Sequence, residues 1–246
     1  MAEIGVIGTG HIAAPLARHL AKKGHKLTVS RRGKATSAAL AASHGAHVAE
    51  PQDVLECAEI VLLCLRPQNA AEVLGPLRFR ADHQIVSVMA KVSRAELASL
   101  CAPAQRFVQT IPLGFVEDGG CPLAAFGDTH MLSDLFSPEN PVIPLAEEAA
   151  LNAHFAICAM VPGFLDLMTT GSAWLAAQTG DAERAELYTK TLIAGFLNTM
   201  RTSLATERDA LATDGTLSLQ MVEGLRRGGA HDALHATLGE IRERLS

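Results

Sequence analysis

A short apolar run at the N-terminus leads directly into a glycine-rich turn, and this order constrains the fold most. Residues 4–7 read Ile-Gly-Val-Ile, and residues 8–13 give G-x-G-x-x-A. The first glycine permits a tight turn, the second lets the backbone approach a pyrophosphate at a helix N-terminus, and the alanine allows close helix packing. The motif predicts a dinucleotide site, and the alternative is a glycine turn without a ligand. The expected cofactor contacts are Gly8, Thr9, Gly10, His11, Ile12 and Ala13.

The end of the second predicted strand indicates which dinucleotide binds. After Lys26–Val29 the chain continues Ser-Arg-Arg-Gly-Lys, without the carboxylate that holds the ribose 2′-hydroxyl of NAD in this fold. A hydroxyl and two guanidinium groups instead suit a phosphate dianion, because arginine offers planar, permanently charged donors. Ser30, Arg31 and Arg32 are therefore predicted to bind the 2′-phosphate of NADP. The alternative is a solvated basic turn.

Composition narrows the class of protein. The 246 residues are 48% hydrophobic and 19% charged, with a net charge of −5, which predicts a soluble globular chain that binds neither nucleic acid nor an anionic membrane. We expect no secretory signal and no apolar stretch of membrane-spanning length. The five cysteines are scattered without a C-x-x-C pair, which favours reduced thiols in the cytoplasm. The predicted partner is a small-molecule substrate.

The pattern of apolar residues changes at about residue 147. Before this point β-branched runs alternate with helical segments, which predicts an α/β fold with a parallel, doubly wound Rossmann sheet over residues 1–146. The proline-punctuated segment 137–144 is interpreted as a junction. Residues 147–246 are predicted to form an all-α domain for substrate binding and dimerisation. Strands are expected near 3–8, 26–30, 46–49, 59–64, 84–88, 106–111 and 121–126, and helices near 11–23, 34–44, 51–57, 68–75 and 93–101.

Two long helices are predicted in the second domain. Apolar residues from Leu187 to Leu204 recur at helical spacing, and residues 161–178 form a second helix that is apolar on several faces. A helix that is apolar around most of its circumference must be buried on more than one side. In a small helical region a second subunit can supply that cover, so a homodimer is predicted.

The order of landmarks along the whole chain resembles the pyrroline-5-carboxylate reductase family. The turn at residues 65–68 stands where the family carries a Val-Lys-Pro-Gln type turn, and the Arg106–Pro112 strand and the loop at 213–217 follow in the family's order. The resemblance implies an N-terminal NADPH domain and a helical domain that interlocks with a partner subunit. The N-terminal domain is also similar to deazaflavin-linked (F420-dependent) NADP oxidoreductases. The resemblance adds cofactor contacts from Leu65, Arg66, Pro67 and Gln68.

The substrate half departs from that family. Pro162 is what remains of the stretch that opens the long C-terminal helix in the family, and Asp214 enters the loop that resembles a cradle for the substrate carboxylate. Because Asp214 would repel an anionic substrate, proline biosynthesis itself is disfavoured. The substrate contacts implied by the resemblance are Pro162, Gly163, Thr213, Gly215 and Thr216.

Two residues are candidates for the chemistry. Thr216 matches a threonine of the family loop and is expected to hydrogen-bond the substrate, but it fits a helix N-cap equally well. Lys91 follows a predicted strand end, where it would donate a proton or bind a carboxylate, and the alternative is a solvated surface lysine. His231 and His235 are interpreted as a surface pair, and no metal is predicted.

Together these features predict an NADP-dependent oxidoreductase. It would transfer hydride from NADPH to the C=N or C=O carbon of a small cyclic imine or of an imino or keto acid. A deazaflavin-linked NADP reductase is the alternative enzyme. A non-catalytic NADP-binding dimer that serves as a scaffold or sensor is the alternative from another class.

Overall fold

The computed structural model describes residues 1–245, which divide into two compact units. One unit comprises Met1–Phe155 together with Leu245, and the other comprises Ala156–Arg244. The predicted boundary after residue 146 precedes helix α7 (Ala149–Cys158), whereas the observed division falls inside this helix.

A single eight-stranded sheet forms the centre of the first unit. Its order is β3-β2-β1-β4-β5-β6-β7-β8, and the strands from β3 to β6 are parallel. The strand order reverses between β1 and β4, and in such sheets ligands bind at the carboxyl ends of the strands at this point. The strands are β1 (Glu3–Ile7), β2 (Lys26–Ser30), β3 (His47–Ala49), β4 (Ile60–Leu63), β5 (Gln84–Ser87), β6 (Arg106–Thr110), β7 (Leu123–Gly127) and β8 (Val142–Pro144).

Helices cover both faces of this sheet. On β4, Ile60 and Leu62 belong to one apolar cluster and Val61 and Leu63 to another, because successive side chains of a strand point to opposite faces. The predicted doubly wound fold is therefore confirmed. The helices of this unit before α7 are α1 (Ala13–Lys22), α2 (Lys34–His44), α3 (Pro51–Cys57), α4 (Ala70–Leu74), α5 (Arg94–Leu100) and α6 (Thr129–Phe136).

The far edge of the sheet differs from the all-parallel prediction. β7 pairs antiparallel with β6, because the connection over residues 111–122 contains a 3₁₀ turn (Gly114–Glu117) and no crossover helix. The segment 137–144, predicted as a junction, instead contributes β8, which pairs parallel with β7.

The described residues of the second unit are helical apart from their connections. The prediction of one helix from Leu187 to Leu204 is wrong at its end, because α9 ends at Thr199 and Ser203 caps the next helix. The Ser203 hydroxyl accepts a hydrogen bond from the backbone N–H of Thr206 at 3.2 Å, which satisfies an amide that a helix start leaves free. The helices are α8 (Met160–Thr179), α9 (Ala182–Thr199), α10 (Leu204–Leu211), α11 (Leu217–Arg227) and α12 (Ala230–Leu245).

Helices α7 and α8 together make one apolar helical segment. Ala149–Thr179 has 31 residues and a mean hydropathy of 1.4 in its most apolar window, so by length and composition it is able to cross a membrane. The expectation that no stretch reaches this length is therefore wrong. Pro162 interrupts the apolar pattern in the sequence, but it lies in the first turn of α8, where proline is tolerated.

Candidate functional site

The phosphate loop, defined as residues 8–10, follows β1 at the reversal of strand order. Gly8 has φ +91°, and a Cβ there would lie 2.6 Å from the carbonyl oxygen of Cys64, so a larger residue does not fit. Gly10 is exposed, and a Cβ on it would meet nothing within 4 Å. No side chain caps α1, and its first turn holds no acidic residue. Free helix amides beside open space form a site suited to an anionic group.

The basic turn, defined as residues 30–34, follows β2 beside this loop. The structure places the Ser30 hydroxyl on the phosphate loop: the side chain is 1% exposed, and its Oγ accepts a hydrogen bond from the Gly8 amide at 2.9 Å. Arg31 and Arg32 are exposed. Arg31 Nε lies 3.3 Å from Glu50 Oε1, at the surface where such pairs are weak. The two guanidinium groups are therefore open to a competing anion.

The turn after β4 also lies against the phosphate loop. Leu65 Cδ2 is 2.9 Å from the position that a Cβ of Gly8 would take, and residues Pro67–Asn69 form a 3₁₀ turn. Arg66 and Gln68 are exposed. The predicted contacts after β1, β2 and β4 thus lie together, at the carboxyl ends of three adjacent parallel strands. Of the other predicted contacts, His11 is exposed, Ile12 is half-buried and Ala13 is buried against the core.

A cavity of about 290 Å³ lies at the carboxyl ends of β5 and β6, on the same side of the sheet as the phosphate loop. Lys91 contributes to it with φ +64°, the one positive value at a non-glycine position in the part of the chain that the structure describes. An L-residue pays roughly 1–2 kcal/mol for this conformation, and such strain concentrates at functional sites. The lining includes Met89, Lys91, Gln109, Thr110, Glu148 and Asn152.

Gln109 and Thr110 are polar residues of this cavity that the sequence did not single out. They are 5% and 3% exposed, at the end of β6. Gln109 Nε2 donates to the carbonyl oxygen of Val92 at 2.9 Å, which orients the amide. Gln109 Oε1 and Thr110 Oγ1 are buried and have no hydrogen-bond partner among the described residues. An unpaired buried polar atom costs about 1–3 kcal/mol, and a ligand in the cavity would reach these two atoms only if the lining side chains shift.

The predicted substrate residues of the second unit fall into two places. Thr213, Gly215 and Thr216 form the turn before α11, whereas Pro162 and Gly163 are exposed in the first turn of α8. Thr216 accepts a hydrogen bond from Leu219 N at 3.1 Å and donates to Thr213 O at 2.7 Å. The structure therefore gives Thr216 the helix-capping geometry that was the alternative to a substrate contact.

The glycine turn, the basic turn and the parallel sheet of the first unit are the features of a dinucleotide-binding Rossmann domain. Comparisons with known proteins agree with this class. Residues 3–91 match the family model described as NADP oxidoreductase, coenzyme F420-dependent. This match covers β1 to β5 and includes both the phosphate loop and the basic turn. No curated protein sequence matches the chain.

Solved structures extend the comparison to the whole chain. Pyrroline-5-carboxylate reductase from Streptococcus pyogenes superposes with a TM-score of 0.86 at 20% identity, covering 99% of this chain and 98% of that one. The enzyme from Coxiella burnetii gives 0.84 at 18% identity, covering 99% and 97%. The Plasmodium falciparum enzyme with NADP bound gives 0.83 at 13% identity, again covering 99% and 97%.

The chain therefore has the pyrroline-5-carboxylate reductase fold over its full described length. The predicted resemblance is confirmed at the level of fold, and so is the order of a Rossmann region followed by a helical region. The chain shares this fold with the three reductases at 13–20% identity, and its N-terminal part matches the NADP oxidoreductase family model.

Proposed function

We propose that this protein is an NADPH-dependent reductase that transfers hydride to the C=N carbon of a small imine. The observation that carries the proposal is the open phosphate loop beside two exposed arginines, on a fold shared along 99% of the chain with enzymes that reduce a pyrroline. Pyrroline is a cyclic imine, which is the basis for the substrate class.

The residues of the first unit fit a dinucleotide phosphate. Gly10 leaves space for the pyrophosphate, the uncapped start of α1 offers amides, and Arg31 and Arg32 offer charge for a 2′-phosphate. Leu65 and Pro67, half-buried beside the loop, supply apolar contacts. The bound cofactor would supply the hydride, and the protein would bind, orient and protonate the substrate.

The cavity at the ends of β5 and β6 favours an imine over a ketone. If the lining side chains shift to expose it, Gln109 Oε1 would accept a hydrogen bond from the N–H of a protonated imine, which a ketone lacks. Lys91, which lines the same cavity, would donate a proton or bind a carboxylate of an imino or keto acid. Glu148 is fixed by a hydrogen bond of 2.6 Å from the Arg94 amide, and it adds a negative charge that suits a cationic iminium.

The experiment has a binding arm and a turnover arm. Fluorescence titration with NADPH and NADH measures cofactor choice, and loss of NADPH absorbance with cyclic imines, imino acids and keto acids measures reduction. We expect tighter binding of NADPH, and turnover on an uncharged cyclic imine, because Asp214 in the predicted substrate loop would repel an anionic substrate. Tight NADPH binding with no turnover on any substrate would instead support the scaffold or sensor alternative.

The match of residues 3–91 to coenzyme F420-dependent oxidoreductases favours one further candidate. In that case the protein would exchange hydride between NADP and a deazaflavin. Reduction of NADP by a reduced deazaflavin, followed by its absorbance, tests this directly. Activity in this assay together with inactivity on imines would replace the first proposal.

The second unit is proposed to hold the substrate loop and to form a homodimer, as predicted for residues 147–246. Large apolar side chains on α8, α9 and α11 are exposed, including Trp174 at 67% and Leu217 at 83%. Such faces mark interaction surfaces. We place the dimer in the cytoplasm, because the five cysteines are scattered without a C-x-x-C pair.

A further inference from the structure

Thr9 joins the two halves of the phosphate-binding edge. It lies in the middle of the phosphate loop and is 3% exposed, so its side chain points away from solvent. Its Oγ1 approaches two backbone carbonyls of the basic turn, Ser30 O at 3.3 Å and Arg32 O more closely. A threonine hydroxyl carries one proton, so it donates to one of these oxygens at a time.

A second hydrogen bond spans the same gap in the other direction. The Gly8 amide donates to Ser30 Oγ at 2.9 Å. Each segment thus supplies one side chain and the other its backbone: the Thr9 side chain of the phosphate loop bonds the backbone of the basic turn, and the Ser30 side chain of the basic turn bonds the backbone of the phosphate loop. The turn is also held at its start, where the Arg31 amide donates to Ala49 O at 3.1 Å.

Gly33 makes this close approach possible. It has φ +95°, and a Cβ on it would lie 2.6 Å from both the carbonyl oxygen and the Oγ1 of Thr9. No ordinary side chain fits at this distance, so the turn needs glycine here to lie against Thr9. The contact is therefore built from three matched features: a β-branched hydroxyl residue, a serine and a glycine.

We propose that Thr9 is a positioning residue for NADP selectivity, acting through the basic turn. This inference rests on the proposed function. The pyrophosphate and the 2′-phosphate are joined through one ribose, which limits their separation, so the amides of the phosphate loop and the guanidinium groups of Arg31 and Arg32 must be held within a matching range. Thr9 holds that separation before the cofactor arrives, and preorganisation of this kind reduces the cost of binding.

The first test is Thr9→Val, which keeps the β-branched shape and removes the hydroxyl. NADPH affinity is expected to fall about tenfold, the equivalent of one lost hydrogen bond. NADH affinity should stay unchanged, because NADH presents no 2′-phosphate to the basic turn. Thr9→Ser keeps the hydroxyl and should restore selectivity. Ser133→Ala is the matched control and should leave both affinities unchanged, since its half-buried hydroxyl donates to Thr129 O at 3.0 Å within α6.

A double-mutant cycle separates positioning from general damage. In an Arg32→Ala background, Thr9→Val should cost much less NADPH affinity than in the wild type, because both changes act through the same group. Equal losses for NADPH and NADH, or full additivity with Arg32→Ala, would overturn the proposal. If Thr9→Val does not fold, Thr9→Ala removes the same hydroxyl and enters the same cycle. A wild-type protein that prefers NADH would refute the proposed cofactor instead, which the wild-type titration alone reveals.

Discussion

The strained backbone at Lys91 separates function from stability at the scale of one residue. Glycine adopts φ +64° without the Cβ penalty, so Lys91→Gly should raise the free energy of unfolding by up to about 1 kcal/mol. If Lys91 serves the substrate, the same change should lower kcat/KM by roughly 10²-fold. Thermal unfolding and NADPH oxidation measure the two effects. Lys91→Met controls for charge alone, and unchanged kcat and KM in that variant would remove Lys91 from the site.

Gln109 makes a different prediction, about which substrate is chosen. Gln109→Met keeps the size of the side chain but removes the acceptor, so kcat/KM for an imine should fall about 10–100-fold while the NADPH dissociation constant stays constant. Gln84→Met is the control, because Gln84 begins β5 and so lies at the amino end of the strand, whereas the cavity lies at the carboxyl ends. An equal loss on imine and ketone substrates would show that Gln109 does not distinguish the C=N group.

The residues of the candidate site differ in how well the sequence alone predicts them. Gly8 and Gly10 are visible because their spacing alone carries the turn chemistry. In the sequence, Gln109 and Thr110 resemble the polar residues of any half-buried strand. Their polar atoms become buried and unpaired only in the folded sheet, where β6 lies beside β5. The capping geometry of Thr216 was one of two predictions from the sequence, since a threonine before an apolar run satisfies both.

At the scale of elements, α1 is held in place by Glu117. Both carboxylate oxygens of Glu117 are bonded, one to Arg18 and the other to Lys22 at 3.0 Å. Burial alone would raise the pKa of Glu117, but the hydrogen bonds from Arg18 and Lys22 together hold it below its usual value. A lowered carboxyl pKa stabilises the fold above the unfolded value of about 4.3 and loses this effect as the pH falls through the folded value.

Glu117→Gln should therefore destabilise the protein at pH 7 by about 1 kcal/mol or less, since Arg18 and Lys22 are partly exposed. The difference in melting temperature from the wild type should shrink as the pH is lowered below about 4. Asp118→Asn, at the exposed neighbouring position, is the control. A difference that stays constant from pH 7 to pH 3 would show that shape, not charge, fixes α1.

Element boundaries and directions were predicted unequally well. The sequence located β1 to β6 and their helices, because β-branched runs alternate there with segments whose apolar residues recur at helical spacing, and each element has a buried face. The direction of β7 differs from the parallel prediction, because a strand has the same apolar pattern in either direction and only the short connection over residues 111–122 distinguishes the two. The break at Ser203 was missed because Leu204 continues the apolar spacing across it, although the serine was available as a cap.

At the scale of the whole molecule, the fold is shared with the reductases although most residues differ. A TM-score of 0.86 persists at 20% identity because many apolar combinations fill the same core. The sequence could place the chain in this fold from its glycine turn and order of landmarks. It could not name the substrate, because the loop at residues 213–217 and the start of α8 are where the residues depart from the family pattern.

The apolar faces of the second unit make the last prediction. On α8, Leu167 and Trp174 are 55% and 67% exposed and lie seven positions apart, on one helical face. We expect sedimentation velocity at micromolar concentration to give a dimer, because a soluble chain rarely leaves so much apolar surface uncovered. Trp174→Glu should shift the protein to monomer, since it places a charge where a second copy would bury the indole.

The controls for this prediction distinguish a second copy from a membrane as the cover. Ser43→Glu adds the same charge at an exposed polar position of α2, in the first unit, and should leave the dimer intact. Wild-type protein that remains monomeric and floats with anionic or neutral lipid vesicles would instead assign Ala149–Thr179 to a bilayer. Dimerisation that survives Trp174→Glu would place the interface on another face, and Leu217→Glu on α11, at 83% exposure, tests that face next.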